Sequence, residues 1–391
     1  MRLILAAALA AIVGCAAPGR AAEALDIPVI LSLTGAGSFL GKQEHEALRT
    51  EEQLVNKSGG VHGSPVHFSF ADDQSSPQLA VQLAAATLAT QPPVILGSTY
   101  VAACNAMAPL VKAGPVMWCF SAGIHPPSGS HVFTSGVSTR DQAAAIVRFF
   151  RFKGWTRLAL LTSTDATGQD ADRGFDALLA LPENRDIKLV ARAHFNAGDV
   201  SVTAQIQQVK AAQPQAFIAW STGSPIATVF RAMIEAGFAV PVGTTGGNMT
   251  YAQMKQFAAI LPRELYLPAP EWPIDGNPGI PLAPAVAAKQ RAFHDAFAAA
   301  GLRPDEGSIL GWEPANIIVD ALRALPPHCD SAQLLDYLQH LSAAAGVNGV
   351  YDFRKSPQRG LSLDNVIVTR WNPKVERWEA VGGPTGIPLK K

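Results

Sequence analysis

Short apolar runs alternate along most of this chain with longer stretches in which apolar positions recur every third or fourth residue. The first block opens with strand-like IPVILSLT and continues into a helical pattern from about Lys42 to Lys57, closed by Gly59-Gly60. There Ala47, Leu48, Leu54 and Val55 form the packing face, and Glu44, Glu46, Glu51 and Glu52 read as the solvated one. VHFSFA follows as a strand, then a helix with Ser76 as N-cap and Pro77 at the first helical position. PVILG, a helix over Ala102 to Lys112, and VMWCF complete the block.

A second block repeats the grammar. Ser138 to Asp141 resembles a capping box, and the helix it opens ends at Gly154. RLALLTS, a helix after Gly168, IKLVARAHF, a helix after Asp199, AFIAWS, a helix carrying Ile226, Val229, Phe230, Met233 and Ile234, and PVGTT follow in turn. Apolar strands alternating with amphipathic helices predict two α/β lobes built on parallel sheets. The proline-rich run from Pro268 to Pro284 predicts an irregular segment. Helices over Ala285–Ala300, Glu313–Leu325 and Ser331–Ala345, then a strand-turn-strand tail, are expected to complete the lobes rather than form a third domain.

At the N-terminus, Arg2 precedes an apolar run from Leu3 to Val13 and then small residues. The run is far shorter than the ~20 residues a membrane span needs, so residues 1–24 read as an export signal. Ile12-Val13-Gly14-Cys15 gives the competing reading of a lipoprotein box, with Cys15 lipidated. Either way the expected location is the periplasm. The chain has 391 residues, enough for two or three domains at about 150 residues each. Its 31 Lys plus Arg balance 31 Asp plus Glu, which gives no electrostatic reason to expect nucleic acid. Past the signal stand Cys104, Cys119 and Cys329. An oxidising compartment permits one disulfide, such as Cys104 with Cys119, but small buried residues are an equal reading. The spacings fit no zinc site.

Gly35 to Gly41 spells G-x-G-x-x-x-G between a strand and a helix, with Asp72 and Asp73 ending the next strand. A dinucleotide fold would use such features, but the last two glycines are one residue too far apart. The chain has no G-x-S-x-G, H-E-x-x-H or S-x-x-K constellation, and its histidines are scattered singly. Asp165, Asp170 and Asp172 read as capping and solvated groups. What remains is a set of small polar or aromatic residues at strand ends: Ser38-Phe39, Ser98-Thr99-Tyr100, Ser121-Ala122-Gly123 and Thr244-Thr245-Gly246. In open α/β sheets, ligands bind beyond the carboxyl ends of the strands, beside helix N-termini with free N–H groups.

LSLTGAGSFLG, ILGSTYVAACNAMAPL with PVMWCFSAGIHP, VFTSGVSTRDQAAAIVRFF, the long stretch from Gly198 to Val242, and GVNGVYDF form an ordered set. In that set the chain resembles periplasmic solute-binding proteins of the branched-chain amino-acid (leucine/isoleucine/valine-binding) type, the receptor components of ABC importers. The resemblance implies a type I periplasmic binding protein, α/β, with two doubly wound parallel-sheet lobes joined by three crossovers near Ser138, Pro268 and Asn348. The lobes would comprise residues 25–137 plus 269–347 and 138–268 plus 348–391. It further implies a monomer with no catalytic group, metal or cofactor, a small-molecule solute, and an ABC permease in the inner membrane as partner. A sensor or accessory binding protein of the same fold is the alternative, and an exported NAD-type oxidoreductase a remote one.

The departures from that family bear on the ligand. Val101 and Gly123 stand where amino-acid-binding members carry hydroxyl residues that hold the α-carboxylate. Thr245 stands where they carry a carboxylate for the α-ammonium, and Thr167 where a tyrosine is common. An ammonium would lack its buried partner, so an α-amino acid is not expected as ligand. The expectation is a carboxylate held by backbone N–H groups near Ala102 and Ala103, with an apolar or aromatic body packed by Phe39, Tyr100, Trp118 or Trp272. The expected contact set is Ser38, Phe39, Tyr100, Val101, Ala102, Ser121, Ala122, Gly123, Thr167, Thr245 and Trp272.

Overall fold

The computed structural model describes residues 23–274 and 280–390. The expected export signal, with Cys15, thus lies up to Ala22 outside the described residues, as do Asp275 to Gly279 of the proline-rich run. The first lobe is a five-stranded parallel sheet of β1 (Leu25–Leu31), β2 (Val66–Asp72), β3 (Val94–Gly97), β4 (Val116–Cys119) and β5 (Val132–Thr134), in the order β2-β1-β3-β4-β5. Helices α1 (Ser38–Lys57), α2 (Pro77–Leu88) and α3 (Val101–Met107) connect its strands. Every residue of β3 and β4 is buried, as a strand covered on both faces requires.

The chain enters the second lobe through α4 (Thr139–Phe152), where Ser138 is the N-cap and accepts the Asp141 amide. β6 (Arg157–Ser163), α5 (Ala166–Leu179), β7 (Lys188–Phe195), α6 (Thr203–Ala211), β8 (Ala216–Trp220), α7 (Ile226–Glu235), β9 (Val242–Gly243), α8 (Tyr251–Gln256) and β10 (Leu265–Ala269) follow. Pro268 lies within β10 rather than in the irregular run; β9 pairs only with Leu265 and Tyr266, so no ladder on that side needs an N–H from Pro268. The remaining elements are α9 (Pro284–Ala299), α10 (Glu306–Ala324), α11 (Ser331–His340), a small ribbon of β11 (Ala344–Ala345) and β12 (Val350–Tyr351), and a hairpin of β13 (Ile367–Asn372) and β14 (Arg377–Gly382). That hairpin joins the second sheet antiparallel, giving the order β14-β13-β10-β9-β8-β6-β7. The second sheet is therefore parallel with an antiparallel edge.

The last passage between lobes comes later than Asn348. The Thr134 amide donates to the Gln358 carbonyl at 2.9 Å. Phe353 packs on Trp118 and Phe133 with ring centroids 5.7 and 5.5 Å apart. The chain thus stays on the first sheet through this segment and reaches the second only at β13.

α10 also departs from its expected start at Glu313. Asp305 caps it in a reciprocal box with Ser308, and the helix runs through Pro314. It lies along α1 with small residues at the contact: a Cβ on Gly311 would come within 2.9 Å of the Glu44 carbonyl oxygen. This packing buries Glu44 and Glu51, which the helical periodicity placed on a solvated face, while Glu46 stays exposed. Burial pushes Glu51 up to about 7, opposed by a hydrogen bond from Asn316.

Candidate functional site

The glycine-rich turn after β1 serves backbone approach. Gly35 has φ +80°, and a Cβ there would lie 2.6 Å from the Gln74 carbonyl oxygen. Gly37 is the N-cap of α1, so the helix starts at Ser38, ahead of the expected Lys42. Gly41 lies inside its first turns, where a Cβ would meet the Ser32 carbonyl oxygen at 2.2 Å. The second lobe repeats the device with Gly168 inside α5, whose Cβ would come within 1.7 Å of the Ser163 carbonyl oxygen. Asp72 and Asp73 brace the same turn. Asp72 accepts from the Leu33 amide at 3.0 Å, the Gln74 amide at 2.8 Å and the Thr34 hydroxyl at 2.8 Å. Partial burial pushes its carboxyl up, but these bonds together hold it below the ordinary value. Asp73 accepts the hydroxyls of Ser32, at 2.7 Å, and Ser98.

Beyond the carboxyl ends of both sheets lies an interlobe cavity of about 50 Å³. It brings together Tyr100, Val101, Ser121, Ala122, Gly123, Thr167 and Thr245 from the expected set. Leu40, Thr99, Phe120, Thr139, Gln142, Trp220, Thr222, Glu306 and Leu310 are among the further lining residues. Four residues of the expected set lie outside this lining. Ser38 opens α1, its amide bonded to the Gly35 carbonyl at 3.3 Å. Phe39 packs edge-on against Phe257 at 5.7 Å, bridging α1 and the end of α8. Ala102 sits one residue into α3. Trp272 is buried, its indole N–H donating to Glu306 Oε2 at 2.8 Å. Trp118, weighed as an apolar wall, stacks on Phe133 at 5.3 Å in the first core. A larger groove of about 600 Å³ runs along α7 between Phe230 and Glu264, at the amino ends of β9 and β10, away from the carboxyl ends where ligands bind in such sheets.

Contacts across the mouth hold the lobes together. Tyr100 donates its phenolic hydrogen to Asp165 Oδ2 at 3.2 Å. Asp165 Oδ1 caps α5 through the Gly168 amide at 3.0 Å, so the interlobe bond is made to a fixed carboxylate. His125, after β4, pairs with Asp170 of α5 at 2.7 Å. Burial pushes Asp170 up, but His125, Thr139 and Arg173 together hold it below the ordinary carboxylate range. The Ala36 carbonyl faces Gly223 so closely that a Cβ there would sit 2.2 Å away. Within the first lobe, Arg359 fixes the segment after β4, donating to the carbonyls of Gly136 and Ala122 at 3.2 Å each and Ile124 at 2.7 Å.

The cavity wall is hydroxyl-rich and carries no Lys, Arg or His among its described residues. Thr99 donates to the buried Glu44. The Thr245 hydroxyl accepts the Gly247 amide at 3.2 Å, and Gln142 Oε1 accepts the Gly246 amide at 3.1 Å. Cys104 and Cys119 form a disulfide with Cα atoms 6.0 Å apart, tying α3 to the strand that delivers Phe120 to Gly123, while Cys329 is a free buried thiol. Sequence reasoning missed Glu306. The capping pattern Asp305-Glu306-Gly307-Ser308 was the available signal, passed over because the helix was read from Glu313.

Two α/β lobes closed over a polar cleft at their strand ends define a two-lobed solute-binding protein. A family model described as "Periplasmic binding protein" matches residues 24–374, and the chain belongs to that family. A curated relative, Leu/Ile/Val-binding protein homolog 3 of Brucella melitensis, is 34% identical over 84 residues. That match spans 22% of this chain and 22% of the relative's length. Among solved structures, a periplasmic binding protein type 1 from Bordetella pertussis superposes with TM-score 0.79 at 22% identity, covering 92% of this chain and all of that one. The substrate-binding protein LivJ from Streptococcus pneumoniae, in complex with isoleucine, gives 0.77 at 17% identity, covering 92% and 100%. A solute-binding protein from Rhodopseudomonas palustris, in complex with benzoate, gives 0.77 at 18% identity, covering 94% and 98%. These likenesses establish the type I periplasmic binding fold.

Proposed function

We propose that this chain is the periplasmic receptor of an ABC importer. It captures a small carboxylate with an apolar or aromatic body by lobe closure and delivers it, as a monomer and without catalysis, to an inner-membrane permease. The observation that carries this reading is the character of the interlobe cavity: hydroxyls, backbone N–H groups and aliphatic or aromatic side chains meet at the carboxyl ends of both sheets. Backbone N–H groups at the start of α3 and hydroxyls such as Thr167 and Thr222 suit an anionic head group. Trp220, Phe120 and Leu310 suit an apolar body. Thr245, engaged in local capping, offers no charge to an α-ammonium. The benzoate complex of the Rhodopseudomonas palustris protein supports the acid class, since a protein of the same fold there is in complex with an aromatic carboxylate.

The test is a thermal-shift panel on the mature protein with aromatic and aliphatic acids, amino acids, amides and sugars. A ligand at about a hundredfold over its Kd adds about 2.7 kcal/mol of stability. Stabilisation by acids and not by amino acids is the expected result. A response to amino acids alone overturns the ligand assignment, and no response to any compound overturns the receptor reading.

A further inference from the structure

Glu306 is the first residue of α10, is 4% exposed, and lines the cavity. Its Oε2 accepts the Trp272 indole N–H at 2.8 Å, which leaves Oε1 as the oxygen to meet a ligand. Among the described residues, the titratable groups that act on it or feel it are acids or a phenol. Asp305 precedes it on α10, the buried phenol of Tyr351 feels its charge, and Glu44 on α1 feels Asp305. No Lys, Arg or His stands among the cavity residues to compensate a negative charge.

Resting on the reading of the cleft as an acid receptor, we infer that Glu306 is its specificity-determining residue: the carboxyl donates an O–H hydrogen bond from Oε1 to the ligand's carboxylate and accepts none from a ligand ammonium. An ionised Glu306 in this buried site beside other acids would be an uncompensated charge, which is costly. Burial accordingly pushes it up to about 8, with Asp305 adding to the push and the Trp272 N–H opposing it. A protonated carboxyl meeting a carboxylate makes a short, charge-assisted O–H···O⁻ bond. An ammonium ligand would first have to strip that proton. The one acidic side chain among the described residues of the cavity wall therefore serves the anion, the reverse of the role an acid plays when it holds an amino group.

The experiment pairs wild type with Glu306→Gln and Glu306→Ala, using benzoate, 4-hydroxybenzoate, phenylacetate and isoleucine as probes by calorimetry from pH 6 to pH 9. For a bound acid, wild-type affinity is expected to be flat below pH 7 and to fall about tenfold per pH unit above about 8. In Glu306→Gln the profile becomes flat, and Glu306→Ala binds about tenfold more weakly at pH 6.5. An infrared difference spectrum between ligand-free wild type and Glu306→Gln at pH 7 is expected to contain the carbonyl stretch of a protonated carboxyl. Its absence overturns the assignment without any ligand. An acid bound with the same pH profile by wild type and Glu306→Gln overturns this inference and leaves the receptor reading standing. Binding of isoleucine alone, tightening as pH rises and lost in Glu306→Gln, overturns both.

Discussion

The Ser135 hydroxyl donates to the Leu310 carbonyl at 3.3 Å, supplying the partner that Pro314 withholds from the turn before it. Ser135 in turn accepts the indole N–H of Trp118 at 3.2 Å. One hydroxyl thus lets α10 run through a proline and satisfies a buried tryptophan of the first core. Ser135→Ala leaves two buried groups unpaired and is expected to lower stability by about 1–3 kcal/mol, read by urea unfolding. In a Pro314→Ala background the restored helical N–H reduces that loss. An undiminished loss in the double variant would show that the carbonyl does not depend on Ser135.

Gly41→Ala and Gly168→Ala reverse the usual sign of a helical glycine replacement. In an open helix, alanine gains up to about 1 kcal/mol. Here the new Cβ would meet a strand carbonyl at 2.2 Å and 1.7 Å, so both variants are expected to lose about 2 kcal/mol or more. Gly198→Ala, in the turn between β7 and α6 with nothing within 4 Å of its Cβ, is the unhindered comparison and should be close to neutral. Thermal melts of the three side by side give the answer.

The Cys104–Cys119 bond closes a loop with a sequence separation of 15, for which loop entropy gives about 3 kcal/mol. Replacing both cysteines by serine is expected to lower the melting temperature and weaken ligand capture, since both walls that the bond ties belong to the first lobe's side of the cavity. Cys329→Ser should leave ligand capture intact. Equal affinity in the double-serine variant would mean that the two walls hold their positions without the bond.

Stability should also depend on pH in the direction set by buried acids. Glu51, Asp305 and Glu313 are each pushed up to about 7, all by burial first. A raised acid binds its proton more tightly when folded. The stability it contributes is complete below its unfolded value and is lost as pH rises through the folded one. Unfolding free energy is therefore expected to fall between about pH 5 and pH 8, and Glu51→Gln should shallow that slope. A stability maximum at pH 8 would contradict the burial of these groups.

The alternation of apolar strands and amphipathic helices made both lobes legible, because each strand of a parallel sheet needs its own crossover helix. What the pattern could not convey were contacts between distant elements. Glu44 and Glu51 look solvated when α1 is read alone, and only the docking of α10 buries them. Glu306 stayed hidden for the same reason: its place in the cleft depends on the Asp305 cap and on the approach of Trp272 from the other end of the proline-rich run. The strand-end residues fared differently. Tyr100, Ser121, Gly123 and Thr245 converge because parallel strands place their carboxyl ends on one edge, whereas Phe39, in the first turn of a helix that begins early, packs on Phe257.

Trp220 forms part of the cavity wall, and Trp272 joins the Glu306 carboxyl to the segment leading out of the second lobe. The protein thus carries its own optical gauge. Occupancy of the cleft and swing of the lobes each alter the surroundings of a different indole, so unlabelled emission can follow capture and release in real time.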